Sequence, residues 1–261
     1  MRWFIVWRKI LYAYSFGVFG VLCLLLTPFA FPLALLPKGL RKPFQKVIRR
    51  ITYMGFGFVR WHCHITGFAS MRFIDHSGGR SSRLLVANHL SMFDIVLLFS
   101  FLPHVQTLVH AKFASNPLLW AIIRTCGYIP IQPTSSAEGV QAYQLLRESL
   151  LENHTLVLFP EGTRSEDGRL GPMKKGPFRL AAELQIPISP VFFTCTQPFL
   201  NRRAFVPREP GPVVLEAHVY PPLEPLEGRP LDAAEMRLAF EKAYADFICS
   251  DQVLAWNRSL V

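Results

Sequence analysis

The sequence predicts an α/β fold, a mostly parallel sheet flanked by helices, with an N-terminal membrane-associated helical segment. Three observations predict it. Short apolar-rich runs at Leu84 to Ala87, Leu156 to Phe159 and Ile188 to Thr194 alternate with helical patterns. Residues 10–37 carry no charged side chain. The basic excess is also confined to one end. Residues 1–74 hold eleven Lys and Arg and no Asp or Glu, whereas the other 17 basic residues nearly balance 18 acidic ones. The expected division is a membrane-anchoring segment over 1–62 and a globular domain over 63–261.

A bilayer span needs about 20 apolar residues, and the apolar core of a signal peptide is about 7–15, so residues 10–37 suit a span better. Pro28, Pro32 and Pro37 are expected to break the second half. That leaves one span of roughly 18–20 residues, or a helix that enters and turns back. The heavier basic flank, Lys38 to Arg50, follows the segment and puts the next domain on the cytoplasmic side. Over residues 41–58, Phe44, Val47, Ile48, Ile51 and Phe58 fall on helical spacing. Lys42, Lys46, Arg49 and Arg50 fill the other face, as in a helix lying among lipid headgroups. Basic residues interleaved with Trp, Phe and Leu favour anionic lipid over nucleic acid as the partner.

The remaining elements follow in order. His62-Cys63-His64 reads as a strand with polar residues, and no third residue at a usual spacing makes it a metal site. Leu84 to Ala87 is a buried strand, and Ser91 to Asp94 opens an apolar helix. Gly127 to Ile131 is a strand near an edge, because Pro130 cannot donate to a ladder. Ser135 and Glu138 have capping-box spacing before a helix at about 137–152. Leu156 to Phe159 is a second buried strand, Leu180 to Leu184 ends another helix, and Ile188 to Thr194 and Val213 to Tyr220 are further strands. Asp232 and Glu235 start a C-terminal helix that runs toward Trp256. Five isolated cysteines with no CxxC pair exclude a disulfide framework and fit a reducing compartment.

Two strand-to-loop corners carry candidate chemistry. In the first, His89 ends a strand and Asp94 lies in the first turn of the next helix. A titratable imidazole beside a carboxylate is the minimal general-base pair. They meet only if His89 sits in the loop before the helix. Ser91-x-x-Asp94 is equally a capping box, which gives Asp94 a structural alternative. The second corner is Phe159-Pro160-Glu161-Gly162-Thr163-Arg164-Ser165. Gly162 allows a tight turn, Arg164 offers donors suited to phosphate, and Glu161 accepts from a hydroxyl or holds Arg164. A surface Glu–Arg pair in a turn is the plain alternative.

Taken together, the corners resemble the glycerolipid acyltransferase family, which includes the lysophosphatidic acid acyltransferases. The family pattern N-H-x4-D matches Asn88-His89 to Asp94, and F-P-E-G-T-R-S matches Phe159 to Ser165. A K-K-G-x-F element matches Lys174 to Phe178, and a V/I-P-I-x-P-V element matches Ile186 to Val191. The resemblance runs from about Gly67 to Val191.

It implies a membrane-bound O-acyltransferase. The acyl chain would move from acyl-CoA or acyl-carrier protein to a lysophospholipid hydroxyl, with 1-acyl-glycerol-3-phosphate giving phosphatidic acid in phospholipid biosynthesis. His89 would be the base and Asp94 its partner, and Asn88 or backbone N–H groups after the strand are the candidate oxyanion donors. Glu161, Gly162, Thr163 and Arg164, with Lys112 and Lys174, would bind the acceptor. The acyl chain would lie in a groove near Phe93, Ile95, Phe178 or the membrane helices. Neither a metal nor a cofactor beyond the thioester co-substrate is implied, and an acyl-enzyme on Ser91, Thr163 or Cys126 has no second base to serve it. One departure stands out. Gln132 occupies the place where the family carries an Arg for the acceptor phosphate, which opens the alternatives of another lysolipid headgroup or an inactive lipid-binding protein.

Overall fold

The computed structural model describes residues 2–132, 136–202, 206–207, 213–224 and 229–249. In chain order the elements are α1 (Arg2–Leu35), α2 (Lys38–Ile65), β1 (Ser70–Asp75), β2 (Leu84–Ala87), α3 (Phe93–Phe99), β3 (Val105–His110), α4 (Ala111–Ala114), α5 (Pro117–Cys126), β4 (Ile129–Ile131), α6 (Ser136–Leu151), β5 (Thr155–Leu158), α7 (Gly176–Leu184), β6 (Ile188–Cys195), β7 (Val214–Val219) and α8 (Ala233–Ile248). They form two compact units, one of Met1–Phe68 with Leu98–Val157, the other of Ala69–Leu97 with Leu158–Val261.

The first unit packs long helices on a small parallel sheet. Strand β3 pairs with both β5 and β4, parallel in each case. Among the described residues the three-residue β4 pairs with β3 alone and leaves Pro130 exposed, as an edge strand allows. Helix α5 is punctuated in the expected way. Asn116 accepts from the Leu118 amide, Pro117 opens the first turn, and Gly127 closes it with φ of 73°. Helix α1 lies against α5 through Ala30 and Ala34, both fully buried beside Ala121, Ile122 and Cys126. Small side chains permit that close approach.

Three expectations fail here. Pro28 and Pro32 do not break α1, which runs unbroken to Leu35. Neighbouring groups hold its C-terminal half. The Thr125 hydroxyl donates to Ala30 O, and the Arg124 Nε and Arg41 Nη1 groups donate to Ala34 O. The segment Val6–Leu35 is therefore one helix long and apolar enough to cross a membrane. His62-Cys63-His64 is helical, not a strand, because the apolar spacing of α2 continues through Trp61 to Ile65. Helix α2 has two apolar faces. Ile48, Val59 and Cys63 are buried, while Leu40, Phe44, Val47, Ile51, Met54, Phe58, Trp61 and Ile65 are exposed at three- and four-residue steps. Arg49, expected on the polar face, is buried and donates to Cys126 O at 2.7 Å.

The second unit is built on the order β1-β7-β6-β2. Pairs β1–β7 and β2–β6 are parallel, and β6–β7 is antiparallel. All four residues of β2 and seven of the eight in β6 are buried, so both strands read as continuous apolar runs. Helix α8 starts at Asp232, whose carboxylate accepts from the Ala234 and Glu235 amides. It covers the sheet with Phe240 and Phe247 against Phe192. Two expected signals, Ser135 and Trp256, lie outside the described residues. The fold class is as the sequence predicts, α/β with four of the five registered strand pairs parallel.

Candidate active site

All but one of the candidate residues belong to the second unit. Strand β2 delivers Asn88 and His89 at its carboxyl end, where ligands sit in open α/β sheets. His89 is in the loop, and its Nδ1 lies 2.8 Å from Asp94 Oδ2 at the start of α3. A carboxylate only accepts, so Nδ1 carries the proton and Nε2 of the neutral ring is bare. Asp94 is fully buried, whereas the His89 side chain is 17% exposed. The same Oδ2 accepts from the Leu90 and Ser91 amides at 2.7 and 2.8 Å. Ser91 Oγ accepts from the Phe93 amide, completing the capping box. The capping role and the role as His89 partner therefore fall on one atom.

The second corner grips the backbone of the first. Glu161 Oε1 accepts from the His89 amide at 2.9 Å, and the Ser165 amide donates to His89 O at 2.7 Å. Glu161 Oε2 accepts from the Gly171 amide at 3.0 Å. Burial pushes the Glu161 carboxyl above its ordinary range, against these two hydrogen bonds. Both Glu161 oxygens thus hold backbone amides, one bond each. Gly162 turns the chain with φ of 66°, and a Cβ there would lie 2.9 Å from Lys174 Nζ. Lys174 therefore arches over the turn, while Thr163 is exposed.

Asn88 also serves the backbone. Its Oδ1 accepts from the Phe193 amide at 2.7 Å and its Nδ2 donates to Phe193 O at 3.2 Å. The side chain is 1% exposed and extends the β2–β6 ladder by one more pair of bonds. It is not available to an oxyanion. Arg164 Nη1 donates to Leu200 O, which also accepts from the Met92 amide. Sequence reasoning missed this third segment. Its contribution is a backbone carbonyl, so no residue type signals it, and only the left-handed φ of 48° at buried Leu200 marks it. Lys112 lies in the first unit, in α4, capped by His110.

The groups considered for a covalent intermediate are poorly placed. Ser91 is 1% exposed and occupied by its cap. Cys126 is fully buried, with its thiol pushed up to about 11 by that burial. Phe93 and Phe178 are buried as core side chains. No group of three His, Cys, Asp or Glu suited to a metal occurs among the described residues.

Residues 72–194 match the family model described as Acyltransferase. The chain is 26% identical to the chloroplastic 1-acyl-sn-glycerol-3-phosphate acyltransferase BAT2 of Brassica napus over 184 residues, 70% of this chain and 52% of that one. It is 34% identical to the beta enzyme of that name from Homo sapiens over 125 residues, 46% of this chain and 44% of that one. The chain spans about half the length of the curated relatives it matches. The crystal structure of the 1-acyl-sn-glycerophosphate acyltransferase PlsC from Thermotoga maritima shares the fold, with a TM-score of 0.66 at 18% identity over 94% of this chain and 98% of that one. Both motif corners lie in one unit, and the stretch that carries them is the stretch that resembles the Acyltransferase family model and the 1-acyl-sn-glycerol-3-phosphate acyltransferases.

Proposed function

We propose that this protein is a membrane O-acyltransferase. It moves a fatty acyl chain from an acyl thioester, carried by CoA or acyl-carrier protein, to the free hydroxyl of 1-acyl-glycerol-3-phosphate and so forms phosphatidic acid. The observation that carries the reading is the bare Nε2 of His89, oriented through Nδ1 by a fully buried carboxylate. Nε2 takes the hydroxyl proton as the oxygen attacks the thioester carbonyl. The C–O bond forms, the C–S bond breaks, and the proton passes to the departing thiolate. Asp94 stabilises the imidazolium between these steps. Positioned general-base catalysis supplies roughly 10²–10⁴-fold. Arg164 and Lys174 are the cations assigned to the acceptor phosphate, and the domain is assigned to the cytoplasmic face because the heavier basic flank follows α1.

The test is His89→Ala in purified, folded protein with labelled thioester and lysolipid. A loss of at least about a hundredfold is expected, and turnover near wild type would sink the assignment.

A second reading concerns the acceptor. Gln132, where the family pattern carries an Arg, can hydrogen-bond but carries no positive charge. This favours a headgroup other than a phosphomonoester dianion. A panel of lysolipids with both donor types, read by mass spectrometry, separates the two readings. Preference for lysophosphatidic acid rejects the second.

A further inference from the structure

The motif side chains leave one contact to the catalytic imidazole unexplained. The Phe159 ring lies on the His89 ring, with centroids 4.2 Å apart and planes 30° from parallel. Behind it stands Phe193, 6.4 Å from Phe159 and 25° from parallel. Phe193 is 2% exposed, and its own amide and carbonyl are the groups that Asn88 holds. The contacts close a circuit. Asn88, next to His89 in the chain, fixes Phe193, Phe193 backs Phe159, and Phe159 backs the His89 ring.

We infer that the aromatic column Phe193–Phe159–His89 is a positioning device for the base, in which Phe159 fixes the plane of the imidazole and stabilises it when it becomes a cation. This rests on His89 being the base. The hydrogen bond to Asp94 fixes one point of the ring but leaves it free to librate about the Nδ1–Oδ2 line. A flat neighbour at stacking distance removes that freedom and keeps Nε2 aimed at one spot, where small misplacement is costly. An aromatic face also carries negative quadrupole charge, so it attracts the imidazolium that forms during transfer more than the neutral ring that precedes it. That difference acts on the transition state and therefore on kcat. The pattern assigns Asn88 its place as well. It is a positioning residue that anchors the far end of the column.

The test compares Phe159→Leu, which keeps apolar bulk without a π face, with Phe159→Tyr, which restores the face. For Leu, kcat should fall about 3- to 30-fold, the equivalent of one cation–π contact. KM for lysolipid and thioester should stay within about twofold, as expected for loss of a contact made only in the transition state. Tyr should recover most of the lost kcat. NMR of histidine-labelled protein gives a readout independent of turnover. The His89 ring protons should be shifted upfield by the Phe159 ring current, and the shift should vanish in Phe159→Leu while the other histidine signals hold and report an intact fold. Phe193→Leu should reduce the same shift in part. Wild-type kcat in the Leu variant, a rise in KM alone, or an upfield shift that survives Phe159→Leu would overturn the inference. His89→Ala is run alongside. Turnover there removes the base assignment, while the NMR shift still decides whether the column exists.

Discussion

His89 is held at every point but one. Its amide meets Glu161, its carbonyl meets Ser165, Nδ1 meets Asp94 and its ring meets Phe159. Nε2 has no hydrogen-bond partner among the described residues, which leaves it for the substrate proton in the proposed reaction. Glu161→Gln tests the backbone grip. An amide offers one acceptor where two backbone N–H groups need one each, so one bond is lost and a donor faces a donor. We expect a stability loss of about 1–3 kcal/mol, read from thermal unfolding in detergent, with a fall in kcat because His89 shifts. Unchanged stability would remove Glu161 from this role. His89 and Asp94 were legible only with the second corner beside them, because a lone His–Asp spacing arises by chance and Asp94 is equally a helix cap. The backbone partners of Asn88 and Glu161 were not legible, for one physical reason. Both side chains bond to backbone groups, and residue identity does not reveal which donor a carboxylate or amide will find.

At the scale of elements, the second corner depends on Gly162. Its φ of 66° is left-handed, and a side chain there would also displace Lys174. Gly162→Ala should cost about 1–2 kcal/mol from backbone strain and raise KM for a phosphate-bearing acceptor by moving the Lys174 ammonium. Equal KM in the two proteins would show that Lys174 does not contact the acceptor. The sheet edge carries a pH dependence. Glu216, on β7, lies 3.5 Å from His218 Nε2 and 3.1 Å from Arg72 Nη1. The neighbouring His218 imidazole is the main reason its carboxyl is held below its ordinary value. A depressed carboxyl contributes stability above its unfolded value, and that contribution is lost as pH falls through the folded one. Glu216→Gln should therefore lower stability at neutral pH and make the loss on acidification below about pH 4.5 shallower. A wild-type slope in the variant would contradict this. Strands β2, β5 and β6 were legible as apolar runs. Strand β3 was not, because Gln106 and Thr107 are buried polar residues within it, and the Thr107 hydroxyl finds its 2.8 Å acceptor, Val157 O, on the neighbouring strand. Helix α1 was misread at Pro28 and Pro32 because its last turns are gripped at Ala30 O and Ala34 O by side chains of α2 and, far away in the chain, of α5.

For the molecule as a whole, the question is how the basic, apolar first quarter meets lipid. Two terms compete. A large apolar side chain taken fully out of water is worth about 1.5–3 kcal/mol, and a basic residue near an anionic surface about 1 kcal/mol. Helix α2 exposes eight apolar residues, Leu40 to Ile65, along one face, with Lys46 and Arg50 also exposed. Lys38 and Lys42 are already paired with Glu148 and Glu152 at 2.8 Å. The apolar term should therefore set the depth of α2, and the exposed basic residues should set the choice of lipid. Benzoyl-phenylalanine placed at Phe44 or Phe58 in proteoliposomes should cross-link to lipid in high yield, and at solvent-facing Glu241 of α8 it should not. The adducts at Phe44 should be enriched in anionic lipid relative to the bulk bilayer. Lys46→Gln with Arg50→Gln should abolish that enrichment without lowering total lipid yield, because the charges select and the apolar face anchors. A fall in total yield in the double variant would reverse the order of the two terms. Equal yields at Phe58 and Glu241 would show that α2 does not lie in the bilayer surface at all.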